Sequence, residues 1–284
     1  MGREARAVQP GTLYLVATPI GNLADVTARA VDVLRGVDVI AAEDTRRTGR
    51  LLQHLGIDGA LTSYYDAVEQ ERAPSLVRRL VAGEAVALVS DAGTPGIADP
   101  GYRLVQAALE ADIPVVPIPG PSSVTAFLPV SGLPTDRFAF EGFLPAREVA
   151  RRRRLAALAS DDRTLVFFEA GRRVPAALAD MAAAFGARRV AIGRELTKLH
   201  EEIIRGDLVA LAADPEALDL RGEVVIGVAG TSGGIVLTDD ELVVEIERRR
   251  AEGASVRDLA AAIAEEFGLS RRAVYQRALT VARR

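Results

Sequence analysis

Between Thr12 and Ile118 the chain alternates short β-branched runs with segments of helical length, and this alternation constrains the fold more than any other feature. The runs Thr12–Thr18, Asp38–Glu43, Ala85–Ser90 and Pro114–Ile118 are expected strands. Asp25–Leu34, Thr45–Leu55, Ala67–Val81 and Tyr102–Glu110 are the expected helices between them. Strand and helix in regular succession call for a mainly parallel sheet with helices on its faces, the α/β arrangement.

A second α/β region starts near Arg137. Its expected strands are Phe138–Phe143, Leu165–Glu169, Val190–Arg194 and Val224–Val228, and the alternating run Glu201–Leu208 adds another, so this sheet is expected to be mixed. The Gly and Pro density around Ser131–Asp136 reads as a linker. From Thr238 onward three helical segments follow: Asp239–Glu252, Ser255–Phe267 and Ser270–Arg283. Ser255 and Ser270 are candidate N-caps, Gly268 a stop, and Leu259, Ile263, Val274 and Leu279 the inward positions. Helix, Gly-containing turn and helix make a helix-turn-helix pattern. The expected domains are 11–131, 137–232 and 238–284.

Composition removes several chemistries. The absence of cysteine excludes disulfides, thiolate metal sites and a cysteine nucleophile, and two isolated histidines, His54 and His200, argue against a histidine metal centre. The uncharged stretch Ile113–Thr135 is interrupted by six prolines, which break any spanning helix. The N-terminus lacks an apolar core of signal-peptide length. A cytoplasmic protein with no membrane partner is expected. The formal net charge is −4, so attraction for nucleic acid must come from local patches. Ser270–Arg284 carries five arginines and no acids, and Arg151–Arg154, after Arg147, is a second such run. A solvated surface is the alternative for both.

Four loops stand where open α/β sheets bind ligands, beyond the carboxyl ends of expected strands. In Ala17–Leu23 (ATPIGNL), Pro19 sets the turn and Gly21 permits close approach of a ligand to the backbone. Ala42–Thr48 (AEDTRRT) gathers Glu43, Asp44, Arg46 and Arg47, although a capped helix start would also use Asp44 or Thr45. Ser90–Gly101 (SDAGTPGIADPG) holds three glycines and two prolines, a contour better suited to a ligand than to packing. Asp91 in it can accept hydrogen bonds from a ribose or amino group. Pro117–Ala126 (PIPGPSSVTA) ends on Ser122 and Ser123, which open a helix; they either cap it or leave its N-terminus for a carboxylate. Neither GxGxxG nor GxxxxGK[ST] is present.

Together these loops resemble the tetrapyrrole (corrin/porphyrin) methylases over about Gly11 to Gly230. The forms TPIGNLAD, AEDTR, SDAGTPGIADPG and PGPSS resemble the branch that methylates a cytidine ribose in the decoding region of 16S ribosomal RNA, whereas ring methylases usually carry a Gly-Asp-Pro loop in place of SDAGTP. The resemblance implies S-adenosylmethionine as cofactor, the 16S rRNA of the small ribosomal subunit as partner, and a homodimer. It implies cofactor contacts from Pro19, Ile20, Gly21, Asp91, Gly93, Thr94, Pro95, Gly96, Ile97, Ser122 and Ser123. In the second region it points to Phe168 and Glu169 (FFEAG), Glu195 (GRELTKLHEE) and Val224 (GEVVIGVAG), where a buried strand is the alternative for Val224–Val228. The C-terminal helices resemble an appendage of the same branch.

Methyl transfer from a sulfonium is an in-line displacement that needs positioning more than covalent help. A ribose hydroxyl is a poor nucleophile, so a base or a cation near it is expected. Glu43 or Asp44 are candidate bases, Arg46 a phosphate-orienting or alkoxide-stabilising cation, and Lys198 a second cation. A ring methylase and a nucleic-acid-binding regulator are the rival readings; the first does not call for the basic last helix, the second does not call for four ligand-shaped loops.

Overall fold

The computed structural model describes residues 8–215, 218, 222–231, 239–267 and 269–282. Strands β1 (Leu13–Val16), β2 (Val39–Ala42), β3 (Leu61–Ser63), β4 (Val86–Val89) and β5 (Val115–Ile118) form a sheet in the order β3-β2-β4-β1-β5. Every pair is parallel. The central runs VIAA and VALV contain no polar residue because both of their faces are covered. Helices α1 (Ala28–Gly36) and α2 (Thr45–His54) bury Val33, Leu34 and Leu52 against Val16, Ile40 and Val89. Helices α3 (Asp66–Val81) and α4 (Tyr102–Glu110) bury Leu76, Leu80 and Leu104 against Leu13, Val39 and Leu88. Successive strand residues thus feed opposite layers, as the pleat requires.

The first helix begins later than its apolar periodicity implied. Thr27 caps α1, its Oγ1 accepting the Ala30 N–H at 3.1 Å, and Leu23–Asp25 forms a separate 3-10 turn capped by Asn22. Strand β3 escaped sequence reading because three half-buried residues at a sheet edge carry no detectable alternation.

Helix α5 (Ser123–Ser131) follows β5. The second sheet, in the order β6-β7-β10-β8-β9, consists of β6 (Phe138–Phe143), β7 (Thr164–Ala170), β8 (Arg189–Arg194), β9 (Glu202–Asp207) and β10 (Glu223–Val228). Only β6 and β7 run parallel, so the sheet is mixed. Helices α6 (Glu148–Leu158), α7 (Val174–Phe185) and α8 (Leu208–Ala213) accompany it. Leu155, Leu178, Met181 and Leu208 pack on Leu165, Phe167, Ile192 and Ile226. The Ala-rich α7 has too little polar contrast to announce itself in sequence.

The arginine run of α6 is largely engaged within the fold. Buried Arg151 and exposed Arg152 both reach Asp180 of α7 at 2.7 Å, and Arg154 pairs with Glu141 of β6. These side chains brace secondary structure, and Arg153 alone of the four is exposed without an ion pair among the described residues.

Helices α9 (Asp239–Ala251), α10 (Val256–Phe267) and α11 (Arg271–Ala282) share a core of Ile246, Leu259, Ile263, Phe267, Val274, Ala278 and Val281. The Ser255 and Ser270 hydroxyls accept the N–H of Asp258 and Ala273, at 3.2 and 3.4 Å. Ala278, four residues on from Val274, takes the inward place assigned to Leu279, which is half-buried. Of the arginines in the last helix, Arg277 pairs with Asp239, while Arg271 and Arg272 are exposed. Thr238, Gly268, Arg283, Arg284 and the 232 boundary lie outside the described residues.

The described residues group into two compact units: the chain up to Ala126 with Leu196–Lys198, and Phe127–Glu195 with the chain from Leu199 onward. The division falls inside α5, just before the Ser131–Asp136 stretch, and α9–α11 belong to the second unit. Among the described residues no helix is long and apolar enough to cross a membrane.

Candidate active site

β1 and β4 are neighbours whose chains leave toward opposite faces, β1 to α1 and β4 to α4. A crevice opens beyond their carboxyl ends for that reason. Three loops are stitched together across it. Thr18 and Gly93 exchange backbone hydrogen bonds at 2.8 and 3.1 Å, and the Thr94 hydroxyl donates to the Pro121 carbonyl at 3.2 Å. Thr18 Oγ1 donates to the Ser90 carbonyl at 3.1 Å. A Cβ on Gly120 would stand 2.9 Å from that of Ala17, so glycine there lets the first and fourth loops touch. Gly93 needs to be glycine chiefly for its φ of +92° and its bridge to Thr18. Gly96 and Ile97 are exposed, Pro95 is buried, and Ala98 adopts a φ of 62° despite its side chain, so this loop turns its backbone outward at some conformational cost.

The far end of the same loop is tied down by Glu69 of α3, a residue no sequence signal had singled out. Its buried Oε1 accepts the N–H of Gly101 at 2.9 Å, the N–H of Arg103 at 3.2 Å and the Tyr64 hydroxyl at 3.1 Å. Gly101 is the N-cap of α4 and has no side chain to do this itself. Glu69→Ala is therefore expected to lower the stability of the chain by about 1–3 kcal/mol through unsatisfied buried donors, read as a fall in the denaturant midpoint. Glu69→Gln, which keeps an accepting oxygen, should recover most of the loss. An unchanged midpoint in the alanine variant would refute this anchoring role.

Gly21 is required by the chain itself as well. A Cβ there would lie 2.6 Å from Lys198 Cγ and 2.9 Å from both the Leu196 carbonyl oxygen and Thr197 Oγ1. This returning segment of the chain approaches the backbone there. Thr197, like Glu195 before it, has a positive φ, 66° and 49°, and the turn they make carries exposed Lys198 to the first loop.

The AEDTR cluster is assembled from two strand ends. The Asp91 N–H donates to Glu43 Oε2 at 3.2 Å, and the Asp44 N–H donates to Asp91 Oδ1 at 2.9 Å, so the ends of β2 and β4 brace each other reciprocally. Arg47 pairs with Asp91 at 3.1 Å. Asp44 is the N-cap of α2, accepting the Arg46 N–H at 2.8 Å, and the Arg46 guanidinium grips both of its oxygens at 3.2 and 3.0 Å. These bonds hold the Asp44 carboxyl at about 2, too weak a base to take a proton readily. Glu43 behaves oppositely. Partial burial pushes its carboxyl up, and the negative charges of Asp91 and Asp66 add to this, against the Asp91 amide and Arg47. The cluster thus separates its two carboxylates, one lowered by the helix start and Arg46, the other raised by burial.

A cavity of about 170 Å³ opens beside it, lined by Thr18, Pro19, Arg47, Arg50, Ser90 and Asp91 among others. At the head of α5, Ser122 and Ser123 are half-buried and neither hydroxyl is engaged in capping among the described residues, so the helix N-terminus presents free donors. Ile20 is half-buried against the Gly93 position.

In the second unit, Phe168 and Glu169 are successive residues of β7 and face opposite sides of the sheet. Phe168 stacks edge-on with Phe140 and Phe143, at centroid distances of 4.7 and 5.6 Å. Glu169 is fully buried, bonded to the Ala170 N–H and to Arg173, with Oε2 lacking a hydrogen-bond partner among the described residues. The Val224 side chain belongs to the hydrophobic core, which leaves only its backbone for any ligand. Glu195 reaches toward Gly222, where a Cβ would stand 2.9 Å from its carboxylate. Among the described residues no group of His, Cys, Asp or Glu is arranged to hold a metal ion.

Residues 12–212 match the family described as Tetrapyrrole (Corrin/Porphyrin) Methylases. A ribosomal RNA small subunit methyltransferase I of Micromonospora olivasterospora is 48% identical over 276 residues, covering 96% of this chain and 88% of that protein. One from Xylella fastidiosa is 46% identical over 271 residues, covering 94% and 98%. Among solved structures, a uroporphyrin-III C-methyl transferase of Thermus thermophilus complexed with S-adenyl homocysteine is 21% identical, with a TM-score of 0.52 over 76% of this chain and 96% of that one. At that identity the likeness is one of fold.

Proposed function

The chain belongs to the tetrapyrrole methylase family, within its ribosomal RNA small subunit methyltransferase I group, and from that premise we propose that it methylates the 2′-hydroxyl of a cytidine ribose in the decoding region of 16S rRNA, with S-adenosylmethionine as donor. The observation that carries this reading is the half-buried, upward-shifted Glu43 carboxyl, braced by Asp91 and flanked by arginines. A weakly acidic hydroxyl needs such a base.

The residues present fit the cofactor. The outward-turned backbone at Gly96–Ala98, the stitched loops of Pro19–Gly21 and Gly93–Pro95, and the uncapped α5 N-terminus at Ser122 and Ser123 are suited to a ribose, a sulfonium chain and a carboxylate. For Phe168, Glu169, Glu195 and Val224, cofactor contact is proposed from the family resemblance alone. When bound, S-adenosylmethionine supplies an electrophilic methyl group.

The chain's own residues supply the rest. Glu43 takes the ribose proton on Oε1, the oxygen not engaged by the Asp91 amide. Asp91 fixes the position of Glu43 and is itself held by Arg47. Asp44 orders α2, and Arg46 serves as its partner. Lys198, brought to the first loop, adds positive charge where an alkoxide develops. A homodimer and a cytoplasmic location, where the small subunit is found, complete the reading.

The test is methyl incorporation from labelled S-adenosylmethionine into small subunits, free 16S RNA and a uroporphyrin-type ring. Label in a single cytidine ribose of the RNA is expected. Label in the ring alone would overturn the proposal.

A further inference from the structure

The cavity lined by Asp91, whose amide donates to Glu43, raises a problem of charge. An RNA strand that brings a ribose to Glu43 also brings its phosphates to a site that already holds the carboxylates of Glu43, Asp44 and Asp91. Something must offset that repulsion locally, since the chain as a whole has a net charge of −4.

Helix α2 presents three arginines, and they are not equivalent. Arg46 is committed to Asp44 through two guanidinium bonds. Arg47 lines the cavity and is neutralised by Asp91 at 3.1 Å. Arg50, three residues on and so on the same helix face, lines the same cavity, is exposed, and has no acidic partner among the described residues. Among the described residues it is the pocket cation without an acidic partner. The cavity's size narrows the occupant. At about 170 Å³ it falls below the ~300–1,000 Å³ usual for whole drug-sized ligands, too small for a tetrapyrrole ring or a complete nucleotide but adequate for one backbone phosphate. Thr18 and Ser90 also line it, their hydroxyls donating to the Ser90 and Gly93 carbonyls.

We propose that Arg50, with Arg47 beside it, seats the phosphodiester next to the target ribose and so sets that ribose against Glu43. A guanidinium suits this because it meets two phosphate oxygens in one plane. The inference rests on the RNA reading above and adds a substrate-positioning residue to it.

The experiment compares the wild-type chain with Arg50→Ala, Arg50→Lys and, as a control on a helix of the other face, the exposed Arg72→Ala. KM for small subunits, salt dependence of binding to a single-stranded 16S fragment, and calorimetric S-adenosylmethionine affinity are measured for each. Arg50→Ala should raise KM about 10-fold or more and reduce the salt slope by about 0.7, with cofactor affinity unchanged. Arg50→Lys should keep the slope and recover KM only in part, and Arg72→Ala should match the wild type. RNA methylation by the wild type with Arg50→Ala equal to it in KM and slope would overturn the clamp and leave the reaction standing. A wild-type chain that methylates no RNA would overturn the reaction, and the clamp with it. Equal losses in Arg72→Ala and Arg50→Ala would reduce the effect to general charge and likewise overturn it.

Discussion

Replacing Glu43 by Gln is expected to lower kcat for RNA methylation by about 10²–10⁴-fold, the usual contribution of a positioned general base, with little change in S-adenosylmethionine affinity. Gln keeps an oxygen for the Asp91 amide, so the brace between β2 and β4 survives. The wild-type pH profile should show an acid limb above the ordinary glutamate value of about 4.3, because burial pushes this carboxyl up. That limb should vanish in the variant. Stability moves the other way. A carboxyl raised in the folded state favours folding at low pH, and that contribution is lost as pH rises through its folded value. Above that value the charge of Glu43 is a burden on the fold, and there the Gln variant should melt no lower than the wild type. Asp44→Asn should leave the acid limb in place, since Asp44 at about 2 is ionised throughout the working range. Wild-type kcat in the Gln variant would remove Glu43 from the chemistry.

Deleting the chain from Asp239 onward is expected to raise KM for small subunits by more than about 10-fold while sparing cofactor affinity. The three C-terminal helices bury their apolar residues in a core of their own, distinct from those of either sheet. Their removal should leave both sheets folded, checked by a retained cooperative melt. Their contribution to binding rests on exposed Arg271 and Arg272, since Arg277 is spent on Asp239. Two phosphate contacts correspond to a salt slope lower by about 1.4 in the truncated chain. Equal affinity and equal slope would show that these helices are not the RNA handle, and Arg50 with Arg153 would be left as the principal contacts.

Some of this was open to inspection in the sequence. Parallel β1, β2, β4 and β5 could be read because each is an apolar run between helices, a pattern that burial on two faces sets for the central β2 and β4. Ser255 and Ser270 announced helix starts through a local hydroxyl-to-amide bond that needs no tertiary partner. The family could be read from four loops because TPIGNLAD, AEDTR, SDAGTPGIADPG and PGPSS stand in one order along the chain and resemble one branch as a set. Side-chain commitments could not be read, because each depends on residues remote in sequence. Arg151 looks like a surface cation until Asp180 is found against it, and Glu69 looks like an ordinary helix residue until Gly101 donates to it. Gly21 proved to make room for Leu196–Lys198, which only the returning chain brings there. The two acids of AEDTR are adjacent and chemically alike in sequence. Tertiary structure separates them: Asp44 meets a helix start and Arg46, which stabilise its charge, whereas Glu43 meets burial and the carboxylate of Asp91 from another strand, which oppose it.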